Sequence, residues 1–197
     1  MDDPARAADN GAAAVVHALV DRGATLAVVE SLTGGLLAAT IVDIAGVSGV
    51  FRGGLVAYAT ELKSSLVGVP AKLLDERGPV DPDVAVALAE GGRERCEADW
   101  CLATTGVAGP EPQDGKPVGL VYVAAAGPTG TDVRRLDLDG NRLRIRIAAV
   151  SGALHLLAER LHAEAEDGST KNAEDGSTEK AGDGTTAEDG TTTDRTS

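Results

Sequence analysis

Three short runs, 25–29 (TLAVV), 53–58 (GGLVAY) and 100–104 (WCLAT), are apolar at nearly every position, and each leads directly into a turn of small and polar residues. A strand with no polar face needs cover on both sides, which is the arrangement of a sheet held between helices. Helical segments supply that cover. Residues 4–22 carry Val15, Val16, Leu19 and Val20 near helical spacing, and Gly23 gives a stop. Further helices are predicted over 36–44, 60–67 and 84–97, the last preceded by the turn PVDPD at 79–83 and weakened by Gly91-Gly92. Val69-Pro70 opens a polar stretch, and EPQDGKP after Pro110 reads as a surface loop. Strands over 120–125 and 132–138, joined by Gly127-Pro128-Thr129-Gly130, read as a hairpin. Asn141 caps a final helix that reaches about His162. The pattern predicts an α/β fold, a three-layer α/β/α sandwich with a mixed central sheet.

With one Phe, one Trp and two Tyr in 197 residues, packing falls to Ala, Val and Leu. One folded domain over 1–162 is expected. From Ala163 the composition changes: EDGST at 166–170 returns at 174–178, followed by GDGTT at 182–186 and EDGTT at 188–192. A repeat without a large apolar residue cannot bury a core, so 163–197 is expected to be a disordered acidic tail that solubilises or tethers.

The net charge of −13 divides almost evenly, with 163–197 contributing −7 and the other 162 residues −6. Such an acidic chain is a poor partner for nucleic acid, which is bound through Lys and Arg on its phosphates. The first 162 residues hold three lysines (Lys63, Lys72, Lys116) against twelve arginines, a balance that would suit a high-salt cytoplasm. No apolar run approaches the ~20 residues of a membrane-spanning helix, and the acidic start Met-Asp-Asp-Pro lacks the basic opening of a signal peptide. A cytoplasmic, reducing location is expected, with no membrane partner. Cys96 and Cys101, spaced C-x4-C with no nearby His, read as buried or half-buried thiols rather than a metal site.

Three turns carry the candidate chemistry. Glu30-Ser31-Leu32-Thr33-Gly34-Gly35 joins a strand to a helix, where free backbone N–H groups could hold a phosphate or an oxyanion. Thr33, Gly34 and Gly35 are thus candidate binding residues and Ser31 a candidate nucleophile. By itself the segment is equally a helix cap formed by Ser31 or Thr33. Lys63 follows Tyr58 by five residues, at the end of the second strand. It is either a solvated surface charge or, if turned into the crevice, an amine whose pKa falls enough to take the serine proton. Thr105, Gly106 and Gly109 in TGVAGP leave the third strand with side chains small enough to admit a substrate. No G-K-[ST] follows, so this is not a P-loop. His17, His155 and His162 fall on predicted helices and offer neither a triad nor a metal set.

Order and spacing together are more specific than any one segment. E-S-x-T-G-G at 30–35, G-G-x-V-x-Y at 53–58 with Lys63, T-G-x-A-G-P at 105–110, K-P-V-G at 116–119 and G-x-R-x-x-I-R at 140–146 resemble the CinA C-terminal domain family over about residues 10–161. The resemblance extends to the stand-alone, PncC-like nicotinamide-nucleotide amidohydrolases. It implies hydrolysis of nicotinamide mononucleotide to nicotinate mononucleotide and ammonia. It also implies Ser31 as nucleophile, Lys63 and Tyr58 beside it, Thr105 near the substrate, and no cofactor or metal. A homo-oligomer with a small-molecule nucleotide substrate is expected. The pyrophosphatase-like domain of longer relatives is not expected in a chain of this length.

Three positions depart from the family pattern. Leu32 stands where Cys is common, the usually Gly-rich loop reads Glu111-Pro112-Gln113-Asp114-Gly115, and Arg142, Arg144 and Arg146 lack the usual acidic residue between them. Arg142 could offset the acidic loop, or the arginines could be solvated. The altered loop keeps two other readings open: a non-catalytic nucleotide-binding module, and an amidase for a different small amide.

Overall fold

Along β1 (Leu26–Glu30) successive side chains enter different cores. Leu26 and Val28 pack with α1 (Pro4–Arg22), α2 (Leu36–Val42) and α6 (Arg142–Asp175), while Ala27 and Val29 pack on the opposite face with α4 (Ala71–Arg77) and α5 (Pro82–Arg95). The period-two alternation of an extended chain, applied to a run with no polar face, produces two cores and hence three layers. The sheet is completed by β2 (Phe51–Val56), β3 (Trp100–Gly106), β4 (Leu120–Gly127) and β5 (Gly130–Asp137) in the order β2-β1-β3-β4-β5. β2 and β3 run parallel to β1, β4 runs antiparallel to β3, and β5 runs antiparallel to β4, so the sheet is mixed as predicted. The computed structural model describes residues 4–175.

Some boundaries differ from the sequence reading, for local reasons. β2 ends at Val56: the Ala57 N–H makes a last bond to β1, onto the Glu30 carbonyl (2.9 Å), and the chain then leaves the sheet. The helix predicted over 60–67 is a short turn, α3 (Thr60–Leu62), that widens into a π-helical turn, Lys63–Val67. α4 lies in the stretch read as polar, where Leu74 is its one buried residue and leaves no apolar period to read. α6 begins where expected, with Asn141 Oδ1 accepting the Arg144 N–H at 3.0 Å. It continues past His162 to Asp175, over part of the segment expected to be disordered. Ala and Glu at 163–166 are strong helix formers, and extending an existing helix is far easier than nucleating one. The rest of the expected tail, 176–197, lies outside the described residues.

The Gly91-Gly92 pair has a packing role. A Cβ at Gly92 would sit 2.3 Å from Val29 Cγ2 and 2.7 Å from Cys101 Sγ, and one at Gly91 would sit 2.3 Å from the Val67 carbonyl oxygen. Missing Cβ atoms therefore let α5 lie against the sheet and against the π-helical turn that carries Lys63. Gly91→Ala provides a test with opposed signs. Helix propensity alone favours alanine by about 1 kcal/mol, whereas overpacking against a backbone carbonyl costs about 1–3 kcal/mol. Urea denaturation is expected to show net destabilisation; a stabilised variant would refute the close approach.

Candidate active site

Every described buried polar or charged side chain gathers at one edge of the sheet: Glu30, Ser31, Thr33, Lys63, Asp81, Thr104 and Thr105. This is the edge formed by the carboxyl ends of β1 and β3. From β1 the chain passes through α2 on one face to β2, then through α4 and α5 on the other face to β3. The connections diverge at the end of β1, which opens the crevice where sheets of this kind take ligands. Among the described residues, none of these buried side-chain atoms lacks a hydrogen-bond partner.

Glu30 organises the first turn. Its carboxylate accepts the N–H groups of Gly35 (2.9 Å), Leu37 (3.0 Å) and Ala38 (2.9 Å), an anion seated on the positive end of α2. Gly34 N–H is used by the Ser31 carbonyl (3.1 Å), and Arg146 donates to the carbonyls of Leu32 (3.1 Å) and Thr33 (2.5 Å). The Thr33 hydroxyl pairs with that of Thr104 (2.8 Å). Thr33, Gly34 and Gly35 thus build the turn from inside and do not line the cavity in front of it. This corrects the expectation that they face a ligand: the chain's own carboxylate and carbonyls have taken the N–H groups of Gly34 and Gly35. The N–H groups of Leu32 and Thr33 have no acceptor among the described residues, and Leu32 lines the cavity.

Lys63 is buried, with 1% of its surface exposed. Its Nζ lies 3.0 Å from Ser31 Oγ, 2.9 Å from the Ala57 carbonyl and 3.3 Å from the Tyr58 carbonyl. Both carbonyls belong to the segment that leaves the sheet after β2. Burial lowers the amine pKa from 10.5 to about 8, with the nearby Glu61 carboxylate opposing the shift. The three oxygens match either protonation state. An ammonium donates to all three; a neutral amine keeps two N–H donors for the carbonyls and turns its lone pair to the Ser31 hydroxyl.

Ser31, Lys63, Tyr58, Thr105, Gly106, Gly109 and Arg142 all border one cavity of about 120 Å³. Arg142 donates to Tyr58 Oη (2.9 Å) and to the Gly109 carbonyl (2.7 Å), spanning the rim. The Thr105 hydroxyl is committed to the Pro79 carbonyl (2.6 Å). Gly106 is small for the sake of the sheet, since a Cβ there would lie 2.7 Å from the Leu120 carbonyl oxygen. Sequence reasoning missed Thr60, Pro79, Val80 and Gln113 as cavity residues, and Glu111 lies on the same wall. The Asp-Gly of the 111–116 loop was the available signal, because that dipeptide favours a tight reverse turn over a loose loop. His155 pairs with Glu159 on α6, away from this site. Cys101 is buried and Cys96 half-buried, and burial raises both thiols. Among the described residues no group of His, Cys, Asp and Glu could hold a metal, and no helix is long and apolar enough to cross a membrane.

A three-layer α/β/α domain with a serine–lysine pair at the carboxyl edge of its sheet defines the class of protein. The CinA C-terminal domain model matches residues 8–161, and the chain belongs to that family. A CinA-like protein of Frankia casuarinae is 52% identical over 147 residues, covering 75% of this chain and 34% of the relative. A CinA-like protein of Geobacter sulfurreducens is 47% identical over 149 residues, covering 75% and 36% respectively. The chain thus spans about a third of the length of these curated relatives. The crystal structure of the competence/damage inducible protein CihA from Agrobacterium tumefaciens matches with a TM-score of 0.75 and 33% identity, covering 79% of this chain and 96% of that one. A CinA superfamily protein of Klebsiella pneumoniae matches with a TM-score of 0.77 and 29% identity, covering 79% and 98%.

The lowered amine pKa has a consequence for folding. Between pH 8 and 10.5 the unfolded chain holds a proton on Lys63 that the folded chain has released. Stability therefore rises with pH through that window, and the cost of burying the charge is fully present below it. Lys63→Met removes this dependence. Denaturation of both proteins from about pH 7 to about pH 10 should show the wild type gaining on the variant; a pH-independent difference would contradict the shift.

Proposed function

We propose that the protein hydrolyses the carboxamide of nicotinamide mononucleotide, giving nicotinate mononucleotide and ammonia through a serine-bound acyl intermediate. The observation that carries this reading is the 3.0 Å approach of the buried Lys63 amine to Ser31 Oγ, with two carbonyls occupying its other donors. The amide substrate itself comes from the motif resemblance, and family membership is consistent with it.

In the first step neutral Lys63 takes the hydroxyl proton as Ser31 Oγ bonds to the carboxamide carbon. The Leu32 N–H, next to the nucleophile and in a residue that lines the cavity, is the donor suited to the resulting oxyanion. Such a donor contributes about 2.7–4 kcal/mol to transition-state stabilisation. The Lys63 ammonium then returns its proton to the departing nitrogen, the C–N bond breaks, and ammonia leaves. Water enters, gives its proton to Lys63, and attacks the ester; the proton passes back to Ser31 Oγ as the acid is released. The 120 Å³ cavity suits a single ring with its carboxamide. The remaining N–H donors of Arg142 are available at the rim for a phosphate.

Ser31→Ala should lose ammonia release from nicotinamide mononucleotide by about a thousandfold or more while keeping its thermal midpoint. Retained activity would remove Ser31 as nucleophile. In the wild type, kcat/KM should rise with pH and level off above about 8, as the amine becomes neutral. A profile that falls over the same range would remove Lys63 as the base. Chelation by EDTA should leave the rate unchanged, since no step calls on a metal; loss restored by a divalent ion would favour a metal-activated water instead.

A further inference from the structure

The loop over 111–116 contributes Glu111 and Gln113 to the lining of the cavity. Gln113 and Lys116 exchange backbone hydrogen bonds (3.1 and 2.8 Å), and Asp114 and Gly115 between them have φ of 49° and 73°. Two positive φ values at the centre of a two-residue turn are the type I′ arrangement, which Asp-Gly favours. The segment is therefore a tight turn with a fixed course. Glu111 and Gln113 border the cavity that holds Ser31, Lys63 and Arg142, whereas Asp114 at the tip does not.

Among the described residues Glu111 forms no ion pair and its side chain no hydrogen bond. The partners of Arg142 are two neutral oxygens, Tyr58 Oη and the Gly109 carbonyl. One small cavity is thus bordered by a carboxylate and a guanidinium that are not joined as an ion pair. A wholly anionic ligand gains from Arg142 and is repelled by Glu111. A ligand carrying both signs, a cationic ring within the cavity that Glu111 borders and an anionic group toward Arg142, satisfies both.

We propose that Glu111 is a specificity-determining residue that recognises a positive ring charge, so that the site selects the oxidised pyridinium form of a nicotinamide nucleotide over its reduced dihydro form. The two forms share the carboxamide, the ribose and the phosphate; the ring of the dihydro form is neutral. This rests on the deamidase reading for the orientation of the ligand, with the ring inside and the phosphate toward Arg142. The contribution lies in ground-state binding, because Glu111 neither forms nor breaks a bond with the substrate.

The test compares oxidised and reduced nicotinamide mononucleotide by ammonia release and, separately, by calorimetric titration of the Ser31→Ala protein, which reports binding without turnover. The wild-type sequence at 111 should favour the oxidised form. Glu111→Gln should cut that preference roughly fivefold, the scale of an exposed ion pair, through KM and Kd rather than kcat. Glu111→Lys should cut it further, and Asp114→Asn should leave it unchanged. An unchanged ratio in Glu111→Gln, or an equal loss in Asp114→Asn, would overturn the assignment. If neither form is turned over but the binding preference holds and falls in Glu111→Gln, the charge recognition stands and the deamidase reading fails. If turnover proceeds with a ratio indifferent to residue 111, the reverse is true.

Discussion

Taking a lysine amine out of water is unfavourable unless other groups replace its hydration, and much of this domain is arranged to meet that condition at Lys63. Three oxygens surround the amine, and two of them exist as acceptors because β2 stops at Val56 and frees the carbonyls of Ala57 and Tyr58. The π-helical turn delivers the side chain inward, a local widening of the kind often found at functional sites. α5 holds that turn in place by the close approach at Gly91. The third oxygen is Ser31 Oγ, so the interaction that makes burial tolerable also joins the proposed base to the proposed nucleophile.

The turn presenting Ser31 is held by charges that never reach the cavity. Glu30 occupies the N–H groups at the start of α2, and Arg146 occupies the carbonyls of Leu32 and Thr33. Because the carbonyl and N–H of a peptide point in opposite directions, fixing the Leu32 carbonyl also fixes the Thr33 N–H. The arrangement separates two sets of residues, with Glu30 and Arg146 supporting the turn while Ser31, Lys63 and the rim residues border the cavity.

Much of this was legible in the sequence. Strands apolar on both faces and helices between them predicted the three layers, and the terminal hairpin predicted the mixed sheet. Ser31, Lys63, Tyr58, Thr105, Gly106, Gly109 and Arg142 converge because motifs at the carboxyl ends of neighbouring strands must meet at one edge. Thr33, Gly34 and Gly35 were misread because a glycine-rich turn before a helix looks the same whether its N–H groups await a ligand or are filled from within. Only the three-dimensional path shows that Glu30 reaches back to fill them. Pro79 and Val80 were not legible because a turn before a helix gives no hint that it closes a cavity from the other side of the sheet. α4 escaped because a helix with one buried residue has no period.

The direct measurement is the protonation of the Lys63 amine in the folded protein. The chain has five lysines, so their ε-carbons can be labelled and followed by NMR titration, with Lys63→Met identifying the resonance. That resonance should titrate near 8. A midpoint at the ordinary value of about 10.4 would mean a solvated ammonium, and Ser31 would then have no base.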